Sequence, residues 1–138
     1  MSRRNELSTK NKYYIPPERY LELKHRVRQY REWKRKIIEL QNKGVSSRAN
    51  NAPRIKSSKF SDTTAMLALD IYNYAAKVKQ VDEALEEVGD GLESYILLCV
   101  VDGQSFEKIK ASLNIPCGKD YFYERYHKFF WILDKKVN

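Results

Sequence analysis

Cysteine, glycine and proline are all scarce in this sequence, and each scarcity removes a class of protein. The two cysteines, Cys99 and Cys117, form no CxxC pair, and neither His25 nor His127 stands at a ligand spacing from them. No local zinc motif results, no metal is expected, and a reducing compartment suits so sparse a set. Five Gly and four Pro argue against a turn-rich sheet protein. No apolar stretch approaches the ~18 to 20 residues that cross a bilayer, and the opening MSRRNELSTKNK lacks the apolar core of a signal peptide. The expectation is a cytoplasmic protein with no membrane partner. Also missing are a nucleophile with its base, a paired-carboxylate site and a glycine-rich phosphate loop, so neither an enzyme nor a cofactor is expected.

What is plentiful is Leu, Ile, Lys, Glu and Tyr, a composition that favours an all-α protein. At 138 residues, 42% of them hydrophobic, the chain can bury one modest core with an appendage. The net charge of +8 is unevenly spread. Residues 1–60 hold 17 Lys/Arg against 5 Asp/Glu, residues 61–104 hold 2 against 9, and residues 105–138 hold 7 against 4. Basic flanks suit a polyanion, because neutralised phosphates release counterions. The acidic centre either pairs with the basic first helix or repels phosphates and so orients the molecule.

Pro17 suits the first turn of a helix, where its missing N–H goes unneeded, and the spacing predicts a helix to about Asn42. Tyr20, Leu23, Val27, Tyr30, Trp33, Ile37 and Leu40 form its apolar stripe, with Arg and Lys on the other faces. A basic tail and this helix make a first region, 1–42. Residues 43–60, KGVSSRANNAPRIKSSKF, lose the periodicity and read as a basic linker, either a solvated connection or an arm that orders on phosphates. Residues 61–138 read as a helical domain. Ser61 and Asp62 supply N-capping chemistry for a second long helix, whose stripe Leu67, Ile71, Tyr74, Val78, Val81, Leu85 and Val88 is a heptad seam. Such a seam serves a hairpin with the first helix or a homodimer through this second helix. Gly89 and Gly91 bracket its end, and an apolar third helix follows over about 92–101, with Cys99 acting as a small hydrophobe.

Ser105 then caps the two-turn segment SFEKIKASL, with Phe106, Ile109 and Leu113 facing inward. Pro116 cannot continue that helix, Ile115 plugs the turn, and a last helix starts near Gly118 or Lys119 and runs to about Lys135. A short helix, an abrupt turn with one buried aliphatic residue and a longer amphipathic helix are what a helix-turn-helix requires, over about 92–135. The inward stripe Phe122, Tyr126, Phe129 and Leu133, with Phe130 or Ile132 beside it, leaves Lys119, Asp120, Tyr123, Glu124 and His127 for a groove. Lys128, about two turns on, falls near the flanking phosphates. The competing reading makes Tyr121, Tyr123 and Tyr126 half-buried core residues, and Asp120 with Glu124 local caps or pairs.

The run SFEKIKASLNIPCGKDYFYERYHKFFWIL resembles the C-terminal segment of the RinA/ArpU-type phage late-transcription regulators and related prophage proteins. The shared pattern falls here on Lys119, Phe122-Tyr123, Arg125, Lys128 and Phe129-Phe130. The opening YYIPPERYLELKHRVRQYREWKRKIIEL and the SDTTA segment resemble the front half of such proteins. Gly118, Asp120, Tyr121 and Glu124 stand where many such domains carry Arg, Lys or Thr. The resemblance implies a sigma-region-4-like helix-turn-helix, double-stranded DNA as partner and transcription regulation as the function; a separate reading is a protein-binding module that touches RNA polymerase and reads little DNA itself. The alternative is a phage helical assembly protein, such as a small-terminase-like subunit.

Overall fold

The structure is a computed structural model that describes residues 8–51 and 58–137, with backbone alone for 45–51 and 58–61. Six helices follow one another: α1 (Pro17–Arg28), α2 (Tyr30–Asn51), α3 (Ser58–Val88), α4 (Glu93–Val101), α5 (Phe106–Ser112) and α6 (Lys119–Val137). Among the described residues there is no strand, so the all-α expectation holds. The contacts gather into two units, one from the stretches 1–29 and 80–138, the other from 30–79.

The first unit contains the candidate site. Its core is α6, which buries Phe122, Tyr126, His127, Phe129, Phe130, Ile132 and Leu133. Both Phe130 and Ile132 go inward, so the buried surface is wider than a single stripe. Around it stand Leu23 and Val27 of α1, Val81, Leu85 and Val88 of α3, Ile96 and Val100 of α4, and Phe106 and Ile109 of α5, all buried. Two polar ties accompany this apolar burial. The Tyr20 and Tyr126 hydroxyls meet at 2.6 Å inside the core, and Arg19 of α1 donates to the Asp134 carboxylate of α6 at 2.6 Å. Tyr13, ahead of α1, sets its ring edge-on to Trp131 at 5.5 Å, and the Lys135 ammonium lies 3.4 Å from the centre of the Trp131 ring.

Three expectations about the front half are corrected. The helix expected over 17–42 breaks at Gln29, whose N–H bonds back to the Arg26 carbonyl in a tightened last turn. Gln is a good helix former, so its own propensity does not account for the break; the neighbouring Arg28 guanidinium reaches the Val100 carbonyl at 3.4 Å. The linker expected over 43–60 is helical through Asn51, and α3 begins at Ser58, ahead of the expected cap at Ser61. Gly, Ser and Asn each cost a helix only a fraction of a kcal/mol to about 1 kcal/mol, too little to stop one in progress. Of the expected linker, residues 52–57 lie outside the described residues, as does the tail 1–7.

The seam on α3 divides at the boundary between units. Val81, Leu85 and Val88 are buried in the first unit, while Leu67, Ile71, Tyr74 and Val78 are half-buried in the second. There Lys77 lies over the rings of Trp33 and Tyr74 at 5.6 and 5.8 Å. Part of the acidic centre meets the last helix. Its Glu83 and Glu87 meet Lys136 of α6 at 3.8 and 2.6 Å, and the Arg26 guanidinium donates to the neutral Gln80 of α3 at 3.0 Å.

Candidate nucleic-acid interface

A sharp bend ends α3. Gly89, Asp90 and Gly91 have φ of 64, 59 and 70°, three successive left-handed residues. Glycine adopts that region freely and Asp is among the few other residues that tolerate it. The bend holds the Asp90 carboxylate beside α6, where it accepts a hydrogen bond from the Tyr121 hydroxyl and faces Arg125 at 3.8 Å. That bond keeps the Tyr121 phenol protonated and raises its pKa.

The helix-turn-helix itself is α5, the turn 113–118, and α6. Ser105 caps α5 by accepting the Lys108 N–H at 3.2 Å. Ile115 is 2% exposed in the turn, and the Phe106 and Phe122 rings of the two helices lie 5.5 Å apart. Gly118 opens α6, its carbonyl accepting the Phe122 N–H at 3.0 Å. Leu113 departs from the expected inward placement: it is 44% exposed, because α5 ends at Ser112 and Leu113 turns to extended backbone.

The six residues expected to meet a groove divide into three groups. Asp120 and Glu124 are exposed, and Lys119 is partly so. Lys119 and Glu124 are already paired: the Lys119 ammonium sits 2.5 Å from Glu107, and Glu124 accepts from Arg125 at 3.0 Å. Tyr123 and Lys128 are half-buried. The Tyr123 ring packs edge-on to Phe122 and Tyr126, at 5.2 and 5.7 Å, and its hydroxyl accepts the Phe106 N–H at 3.4 Å. It is thus as much a brace between α5 and α6 as a groove residue.

His127 is a correction. It is 6% exposed, beside the Tyr126 ring, and its Nε2 has no hydrogen-bond partner. Burial disfavours the imidazolium and pushes its pKa down to about 4. The physical reason is that α6 buries Tyr126, Phe129, Phe130 and Leu133 together, so position 127 falls inside an apolar sector wider than the stripe implied. The sequence missed the carboxylates that rim this surface, Asp90 and Glu107, which come from other elements; only the capping pattern at Ser105 hints at the second.

The cations at the front of α6 are therefore already neutralised, Lys119 and Arg125 standing among the four carboxylates Asp90, Glu107, Asp120 and Glu124, and the net positive charge lies elsewhere. The stretch 30–79 holds 11 Lys/Arg against 4 Asp/Glu, +7, while the remainder of the chain holds 15 against 14. On α2, Arg35 is held by Glu32 and Glu39 at 2.6 and 2.8 Å, and Arg31, Lys34 and Lys43 stand exposed. Cys99 behaves as the small hydrophobe expected, with burial pushing its thiol up to about 11. Among the described residues no group of His, Cys, Asp and Glu could hold a metal ion, and no helix is long and apolar enough to cross a membrane. Comparisons with protein-family models, with curated proteins and with solved structures find no match to the chain.

Proposed function

We propose that the chain is a DNA-binding helix-turn-helix protein of the phage and prophage transcription-regulator class, working in the cytoplasm on double-stranded DNA. The observation that carries this reading is the α5–turn–α6 unit, in which the buried Ile115 fixes a bend and leaves the front of α6, from Lys119 to Glu124, at the surface. Because the cations at that front already face carboxylates, α6 supplies discrimination more than affinity. The basic stretch 30–79 supplies the phosphate contacts. RNA polymerase is the second partner in this reading.

Fluorescence anisotropy with labelled duplex DNA over a salt series tests the division of labour. Replacing Arg31, Lys34 and Lys43 by Gln flattens the dependence of log K on log salt by roughly one unit for each phosphate that is no longer neutralised. Tyr123→Phe, which keeps the ring packing, instead alters preference among sequences. Equal affinity and equal slope in both variants would oppose the reading. A helical assembly protein, small-terminase-like, is the second reading, favoured by the exposed apolar face of α3; a ring of many subunits in solution would support it over a regulator.

A further inference from the structure

Between Asp62 and Lys79, α3 is apolar on two opposite sides. One side is the half-buried part of the seam, Leu67, Ile71, Tyr74 and Val78. With ~100° of rotation per residue, the polar Asp62 and Asn73 share a sector within about 60° of Leu69, opposite the seam, with five apolar residues, Ala65, Met66, Leu69, Tyr72 and Ala76. All five are exposed, Met66, Leu69 and Tyr72 at 65, 57 and 69%. An ordinary surface helix carries charge on its outer side. A largely apolar stripe there, interrupted by a single Asn, marks a contact surface rather than a solvated one.

We propose that this outer face of α3 is where a second copy of the chain docks, the two helices antiparallel about a twofold axis between Asp70 and Ile71. Charge selects the occupant. The stripe has an acid at one end, Asp62, and a cation at the other, Lys79, so the helix complements itself when reversed. Residues 62–79 hold two acids, Asp62 and Asp70, and two lysines, Lys77 and Lys79, for a net charge of zero, whereas the stretch 30–79 as a whole is +7. Two copies can thus meet on this face without opposing their like charges.

Packing selects the same arrangement. The register that sets Asp62 against Lys79 of the other copy also sets Leu69 against Tyr72 and Ala65 against Ala76. Each pairing occurs twice, as an isologous contact requires. The small residues Ala65 and Ala76 let the helices approach closely. The contact runs ~26 Å along the helix, a short interface, so the dimer forms in a concentration-dependent way.

The test is sedimentation equilibrium of the full chain without DNA, from about 1 to about 200 μM, a range that brackets micromolar association. The wild type fits a monomer–dimer equilibrium. Leu69→Lys raises the dissociation constant at least about tenfold, the cost of a charge at an interface centre, while circular dichroism shows its helix content unchanged. Asp62→Lys and Lys79→Asp each weaken the dimer, and the double variant returns to within about threefold of wild type, because each reversed pair is again opposite in sign. A wild type that stays monomeric, or that forms larger rings, overturns the proposal, as does a dimer indifferent to Leu69→Lys. Single charge reversals that are not rescued by the double variant overturn the antiparallel register. The measurement contains no nucleic acid, so its failure leaves the DNA-binding reading intact, and a chain that dimerises but binds no DNA refutes only that reading.

Discussion

Lowering the pH from 7 to 4 should destabilise this protein through one identifiable side chain, His127. Its folded pKa of about 4 lies below the ordinary 6.5 because the imidazolium would be buried without a partner for Nε2. Between those two values the unfolded chain binds a proton that the folded chain refuses. Stability is therefore complete above pH 6.5 and falls as the pH drops toward 4. A difference of about 2.5 pKa units at 1.36 kcal/mol each gives a loss of about 3 kcal/mol, a large part of a typical folding free energy of ~5–15 kcal/mol. Carboxylates titrate in the same range, so the informative quantity is the difference between wild type and His127→Phe. Urea unfolding of both proteins at half-unit pH steps supplies it. The wild type should lose about 3 kcal/mol more than the variant between pH 7 and 4. Parallel pH profiles would refute the placement of His127 in the core, and would return it to the surface where the sequence put it.

The remaining predictions concern the core and the interface. Tyr20→Phe leaves the Tyr126 hydroxyl buried and unbonded, and should cost about 1–3 kcal/mol; the Tyr20→Phe/Tyr126→Phe pair should cost less than the two singles summed, measured by the same urea titrations. Ile115→Ala opens a cavity beneath the turn and should cost about 2–5 kcal/mol, seen as a lowered Tm, with DNA binding weakened at temperatures where the protein stays folded. Glu107→Gln removes a carboxylate from the surface proposed to face DNA and releases Lys119, so it should tighten duplex binding by about threefold at low salt and by less as salt rises. Weaker binding by that variant would show that the Lys119–Glu107 pair positions the lysine rather than neutralising it.

Periodicity carried the sequence reading furthest where the local signals agreed. Ser105, Pro116 and the paired glycines 89 and 91 punctuate the chain, and α4, α5 and α6 fall where those residues place them. The break at Gln29 has no such signal. A good helix former occupies it, and the contact of Arg28 with Val100 spans 72 residues. The linker expectation over 43–51 fails for the opposite reason: Gly, Ser and Asn resemble a linker in composition, yet none of them forbids a helix. His127 was misplaced because a stripe drawn from spacing assumes one buried sector, while α6 packs against α1 as well as α5 and needs a broader one. The neutralised front of α6 was also beyond reach, since Glu107 and Asp90 reach Lys119 and Tyr121 only through the turns at 113–118 and 89–91.

Whether the front of α6 reads duplex DNA, as proposed, is decided by selection of bound fragments from a random duplex pool. The wild type should enrich one motif and Tyr123→Phe a changed or blurred one, with overall affinity still set by salt. Recovery of an unenriched pool, or no recovery above background at low salt, would contradict the proposal.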